Sequence, residues 1–305
     1  LQKFILRRGW QAMLVVVGVS LVVFFAMRLS GDPSLLMLPP EATEADRVRF
    51  QHEQGLDRPI YVQYAVFLRR AVQGDFGKSL RYRQPAFPLV LERLPATLEL
   101  SLAAMLVSLA VAIPAGVLAG VRRNSAYDAL SMLGALFGQS MPVFWLGIML
   151  ILIFSVRLGL FPTSGRDGLQ HLVLPAVTLG LYSTARVTRL VRAGMLDVLG
   201  QEYIRTAWAK GLTPRRVIFK HALMNTLIPV VTIVGLELGT LLGGAVITET
   251  IFAWPGVGRL VVTAIFQRDY PVVQAAVMVL ALSFVFSNFV VDLVYGYLDP
   301  RIRYQ

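Results

Sequence analysis

The 305-residue chain contains no cysteine, which excludes disulfides, thiolate nucleophiles and cysteine metal sites. It is also short of charge. Asp, Glu, Lys and Arg make up 15% of the residues, against about a quarter in a soluble globular chain, while 56% are hydrophobic. Length alone would suggest about two soluble domains; the apolar surplus points instead to lipid as the solvent. Histidine is scarce too. His52, His171 and His221 lie far apart, with none of the i, i+3 or i, i+4 spacings of a metal cage. Only Lys and Arg are in excess, for a net charge of +11. They are scattered between apolar runs and gathered in a few loops, as the positive-inside bias expects, which argues against a nucleic-acid face.

What is present is a series of uncharged runs near the roughly 20 residues that cross a bilayer. Six spans are expected, at residues 9–27, 100–121, 129–156, 169–185, 222–248 and 270–291. The third is long enough to tilt or to include an interfacial segment, and the fifth encloses Glu237. The first follows Lys3, Arg7 and Arg8 but is longer than a signal core and offers no small-x-small cleavage site, so it reads as an uncleaved helix.

Loop charges give the orientation. The 186–221 loop holds Arg186, Arg189, Arg192, Arg205, Lys210, Arg215, Arg216 and Lys220 against only Asp197 and Glu202; Arg122 and Arg123 follow the second span, and Arg301 and Arg303 the last. The opposite loops, 157–168 and 249–269, carry Arg157 with Arg166 and Arg259 with Arg268. Both termini are therefore expected in the cytoplasm. Residues 30–93, with nine basic and eight acidic residues and a helix-like pattern over 59–68, read as a partly ordered extracytoplasmic insertion. The expected architecture is an all-α membrane protein with six transmembrane helices. It divides into a first helix (1–29), the insertion (30–93), a five-helix core (94–292) containing the 186–221 loop, and a tail (293–305).

Few residues carry recognisable chemistry. Gly77-Lys78-Ser79 has the end of a phosphate loop, but position 72 is Val where the motif needs Gly. Glu237 is a carboxylate deep in a span, a place where acids face a bundle interior or water. It is a candidate path or gate residue, with a hydrogen bond to a neighbouring helix as the plainer alternative. Gly235, Gly239, Gly243 and Gly244 around it, like Gly116 with Gly120 and Gly134 with Gly138, are small-residue faces suited to close helix packing. Glu99, one turn inside the second span, is close enough to the interface to snorkel. Paired acids, histidine clusters and activated nucleophiles are missing from the spans, which disfavours an intramembrane enzyme.

The 186–221 loop is the most informative segment. Residues 201–211 read as a short helix that stops at Gly211, and Thr213-Pro214 starts the next. Ile204, Ala207, Trp208 and Gly211 fall at i, i+3, i+4 and i+7, an apolar stripe on a helix outside the membrane. Such a face seats in a protein groove or rests on headgroups, and pattern alone does not decide.

This loop resembles the cytoplasmic coupling segment of ATP-binding-cassette importer permeases. More narrowly, nearly the whole chain resembles the first permease subunit of the dipeptide, oligopeptide and nickel uptake family. The matching residues are Gly31-Asp32-Pro33; Gly55-Leu56-Asp57-Arg58-Pro59; Gly74-Asp75-Phe76-Gly77-Lys78-Ser79; Leu94-Pro95-Ala96-Thr97-Leu98-Glu99; Ser140-Met141-Pro142; Glu202-Tyr203-Ile204-Arg205-Thr206-Ala207; Phe252-Ala253-Trp254-Pro255-Gly256-Val257-Gly258-Arg259; Arg268-Asp269-Tyr270-Pro271; and Asp299-Pro300-Arg301. The wider importer class has Glu-Ala-Ala, three residues and Gly, then Leu-Pro. Here Arg205 stands at the Glu, Thr206 at the first Ala and Met224 at the Pro, departures that match the peptide and nickel branch.

The resemblance implies a bacterial inner-membrane subunit that pairs with a homologous second permease around a path for a short peptide, a nickel chelate or glutathione. Glu202, Tyr203, Ile204, Arg205, Thr206, Ala207, Trp208, Lys210 and Gly211 would couple it to one of two cytoplasmic ATPases. It would bind no cofactor itself; ATP would be used by those partners, and a periplasmic binding protein would deliver the solute. The competing reading is a secondary transporter or channel, which should show inverted repeats and interrupted helices around midplane ionisable groups.

Overall fold

A computed structural model of the chain describes residues 2–29, 43–53 and 57–298. The Gly31-Asp32-Pro33, Gly55-Leu56 and Asp299-Pro300-Arg301 matches and the expected tail charges lie outside them. The described elements are helices joined by short connections, with one isolated bridge between Lys78 and Pro85. In order they are α1 (Gln2–Leu29), α2 (Glu44–Glu53), α3 (Ile60–Val72), α4 (Ala86–Val121), α5 (Ala126–Ser140), α6 (Val143–Leu150, running on as the π-helix Ile151–Arg157), α7 (Leu169–Leu199), α8 (Glu202–Ala209), α9 (Pro214–Arg216, followed by the π-helix Val217–Leu223), α10 (Met224–Ile251), α11 (Val257–Phe266) and α12 (Tyr270–Leu298).

Four of these stretches are long and apolar enough to cross a membrane: Arg8–Ala26, Ala86–Val121, Pro214–Ile251 and Tyr270–Val291. A fifth is formed if α5 and α6, bent by 106°, count as one. The bend has a local cause. Pro142 opens α6 and disfavours helical geometry in the residue before it, and Met141 is extended at φ −77°, ψ 129°. The expected third span is thus broken, not merely tilted.

The expected fourth span is part of a longer helix. α7 does not stop at Arg186 but runs 31 residues to Leu199. Charge ends an apolar run, but it does not end a helix when neighbours supply counter-charges. Arg192 makes a forked pair with Asp128 of α5 at 2.5 and 2.8 Å, and Arg186 is paired as described below. α4 likewise starts at Ala86, inside the segment expected as insertion, and at 36 residues it is about 54 Å long, well beyond a ~30 Å hydrocarbon core.

α4 and α7 form the centre of the bundle, and small residues set their spacing. A Cβ added at Gly116 would lie 2.7 Å from Val191 Cβ, one at Gly120 2.6 Å from Met195 Cβ, and one at Gly180 2.5 Å from the Ala104 carbonyl oxygen. Any larger side chain would push the helices apart. Gly239 similarly admits Phe284 of α12, and Gly138 packs on Leu181, whereas Gly134 and Gly243 have no neighbour within 4 Å of an added Cβ. The Gly134/Gly138 pair is therefore only half a packing face in this chain.

Three segments that are distant in sequence meet where α4 begins. Ser79 donates to Asp269 at 2.5 Å, the Glu99 carboxylate pairs with Arg166, whose Nε lies at 2.8 Å, and the amide of Gly165 donates to the Phe252 carbonyl at 3.0 Å. Glu99 therefore has a cationic partner and does not simply snorkel. Gly77-Lys78-Ser79 carries the bridge from Lys78 to Pro85 and, through Ser79, helps tie this end together. α3 lies against α1 through Tyr64, whose hydroxyl is 2.7 Å from Ser20 Oγ, and a relay of rings from Phe24 through Phe67 and Phe76 to Phe87 continues that contact to α4.

Candidate functional site

α8 sits at the opposite end, where α4 finishes. It is eight residues long, too short to be stable alone in water, so it must be held by packing. Ile204 and Ala207, three residues apart and hence on one face, are buried in a cluster with Val191, Met195 and Val217. The expectation that Ile204, Ala207 and Trp208 together form a face free for a partner is thus corrected. The stripe is split: its first two members anchor the helix to its own chain, while Trp208 is 44% exposed.

Glu202, Tyr203, Arg205, Thr206, Lys210 and Gly211 are exposed with Trp208. Tyr203 is steadied by Asn225 Nδ2, which donates to its hydroxyl at 2.9 Å, and Arg205 pairs with Glu202 at 2.8 Å on the surface. The C-terminus closes with paired bonds, Gly211 N to Trp208 O at 2.9 Å and Leu212 N to Ala207 O at 3.3 Å. This is the two-bond stop that requires a left-handed residue, and Gly211 supplies it at φ +73°. None of the described residues lies within 4 Å of a Cβ added there, so Gly211 is open to whatever meets this surface.

The second locus lies between α7 and α10. Glu237 is 1% exposed and both its oxygens are occupied: Oε1 accepts from Arg186 Nη1 at 2.6 Å, and Oε2 from Ser183 Oγ at 2.8 Å. A buried carboxylate requires a partner of this kind. Both partners sit on α7, three residues apart, so Glu237 is a bond to a neighbouring helix. Its Arg186 partner, however, keeps half of its side chain exposed.

Sequence reasoning missed another buried carboxylate. Glu249, expected in a loop, ends α10 in full burial. It accepts from Thr97 Oγ1 at 2.6 Å and from the Arg259 amide at 2.9 Å, and so binds the start of α11. Trp254 Nε1 donates to the Ala96 carbonyl at 2.8 Å alongside it. The available signal was that Leu94-Pro95-Ala96-Thr97 and Trp254-Pro255-Gly256-Val257-Gly258 both belong to the matched motifs. The histidines are placed apart, on α2, on α7 and in the π-helix before α10.

Comparison with known proteins covers almost the whole chain. Residues 112–304 match the family described as binding-protein-dependent transport system inner membrane component, and residues 1–102 match the N-terminal family of the same membrane components. The di/tripeptide transport system permease protein DppB of Pseudomonas aeruginosa is 43% identical, with 99% of each chain covered. The oligopeptide transport system permease protein AppB of Bacillus subtilis is also 43% identical at 99% coverage of both. The glutathione transport system permease protein GsiC of Escherichia coli is 45% identical over 94% of each. Among solved structures, an inward-facing MetNI methionine ABC transporter aligns with a TM-score of 0.58 at 22% identity, over 69% of this chain and 96% of that one. At that identity the likeness is one of fold.

Proposed function

As the chain belongs to the inner-membrane components of binding-protein-dependent transport systems, we propose that it forms half of the translocation path for a short peptide. It is a permease subunit of an ATP-driven importer and not an enzyme. A peptide as solute is supported by relatives named for di- and tripeptides, oligopeptides and glutathione. Within the importer it pairs with a second, homologous permease, seats α8 on one of two ATPases that use the ATP, and receives solute from a periplasmic binding protein. The observation that carries the coupling role is the geometry of α8. Two buried anchors hold it, and Tyr203, Trp208 and Gly211 beside them stay exposed.

Gly211→Glu tests that role. It adds a charge among described residues that leave room for it, and Gly211→Ala carries the same strain at φ +73° without the charge. Gly211→Glu should therefore remove ATPase co-purification and lower uptake by orders of magnitude, well beyond Gly211→Ala, while the subunit still reaches the membrane. Full transport with the ATPase still bound would show that α8 rests on headgroups instead.

Six spans cross the bacterial inner membrane in this reading, with α7 as the sixth beside the four apolar stretches and the α5–α6 pair. Both termini are cytoplasmic and residues 30–93 face outward, which leaves a core of 94–292 and a tail of 293–305. The meeting of residues 79, 165–166 and 249–269 at one end of the bundle supports this topology. Single cysteines at positions 70 and 205 of the cysteine-free chain test it. An impermeant thiol reagent should label position 70 and spare position 205 in intact spheroplasts; the reverse pattern would invert the topology.

A further inference from the structure

α7 leaves one stripe uncovered. Tyr182, Arg186, Ala193 and Asp197 are exposed and Arg189 is partly so, and their spacings of three and four residues align them on one side of the helix. The rest of α7 packs on α4, α5, α6 and α10. Arg186 commits Nη1 to Glu237, and the rest of its five N–H donors stay free on a side chain that is half exposed. Arg189, nearly one turn further on, has no hydrogen-bond or ion-pair partner among the described residues. The stripe thus holds two guanidinium groups of which only Arg186 is paired with a carboxylate, and Asp197, eight residues past Arg189, is about 12 Å along the helix. The stripe carries excess positive charge. Hydrocarbon is a costly neighbour for it, so it turns towards water or polar groups.

We infer that Arg186 and Arg189 form a carboxylate-recognition step in the solute path, engaging the C-terminal carboxylate of a short peptide as it passes. The inference rests on the peptide-permease reading above. A guanidinium fork matches a carboxylate in shape as well as charge. Glu237 is the positioning residue behind it: with one oxygen on Arg186 and the other on Ser183, it is fixed at both ends and aims the guanidinium outward. It also competes for the same cation, which weakens capture. A step on a path needs that, because a solute held too tightly does not move on.

The absence of cysteine allows a charge-rescue test. The complete transporter, with cysteine-free partner subunits and its binding protein, is reconstituted in proteoliposomes, and ATP-dependent uptake of radiolabelled alanyl-alanine is measured. No uptake with the wild-type chain overturns the peptide reading and the inference with it. With wild-type uptake established, Arg189→Cys, which strands no partner among the described residues and leaves the Arg186–Glu237 pair intact, should lose about ten- to a hundredfold, the range for a hydrogen bond to a charged group. A thiosulfonate reagent that attaches an ammonium group should restore most of that loss, and one that attaches a sulfonate should not. Undiminished uptake in the variant, or equal rescue by both reagents, overturns the inference while leaving the peptide reading intact. A thiol that reacts in the chain purified alone but not in the assembled transporter also overturns it, and assigns the stripe to the second permease. If Arg189→Cys does not reach the membrane, Arg189→Lys and Arg189→Gln are compared instead: uptake kept by the first and lost by the second is the expected outcome, and equal uptake in the two overturns the inference.

Discussion

Where α4 begins, polar groups from distant parts of the chain meet out of contact with solvent: Ser79 with Asp269, Thr97 with Glu249, and Trp254 with the Ala96 carbonyl. Where α4 ends, the polar residues of α8 are exposed, and only Ile204 and Ala207 of that helix are buried. The first end is tied by directional bonds whose loss leaves buried donors unmet. The second is held mainly by a small apolar anchorage, with its polar side chains exposed on bonds local to that end, such as Tyr203 with Asn225 and Arg205 with Glu202. A frame and a presented surface need these different constructions, since buried polar networks rigidify while exposed ones stay available.

The comparison breaks most readily at Glu249. Removing its carboxylate strands the Thr97 hydroxyl and the Arg259 amide in a fully buried site. At about 1–3 kcal/mol per unmet buried group, Glu249→Ala should cost roughly 3 kcal/mol or more, on the order of 10 °C in the thermal midpoint of the detergent-purified subunit. Glu249→Gln keeps an acceptor oxygen and should lose markedly less. Equal losses in the two variants would mean that the site needs negative charge and not merely an acceptor.

The surface end was far more legible in sequence than the tied end, for a physical reason. α8 is a local object: Gly211 as the stop, Pro214 as the next start and the periodicity between them are all written within a dozen positions, and the helix over 60–72 was equally visible. Which side of α8 turns inward was not, because Ile204 and Ala207 differ from Trp208 only through Val191, Met195 and Val217, which come from other elements. The pairing of Glu237 with Arg186 spans 51 positions and that of Thr97 with Glu249 spans 152, so no local rule joins them. In sequence, a run that stops at a charge reads as a span that stops there. Arg186 and Arg192 show why that fails, since each continues inside α7 with a carboxylate supplied by a neighbouring helix.

The finest division within the presented end is between Ile204 and Trp208, one turn apart on the same helix. Ile204 is buried beneath α8, so Ile204→Ala opens a cavity and should cost about 2–5 kcal/mol, the range for deleting a large aliphatic side chain from a core. That loss should appear as a lower thermal midpoint in the purified subunit, with no partner present. Trp208 is the larger side chain, but 44% of it is exposed, and a surface truncation of this kind usually changes stability by only about 0.5 kcal/mol. Trp208→Ala should therefore leave the isolated subunit's midpoint nearly where it was and reduce ATPase co-purification and uptake instead, because a large aromatic at the centre of a contact carries a disproportionate share of its energy. The two variants cross over, one failing alone and the other only in company. If Trp208→Ala lowered the midpoint as much as Ile204→Ala while the ATPase still co-purified, Trp208 would be part of the anchor, and the division of α8 into an inner and an outer face would have to be redrawn.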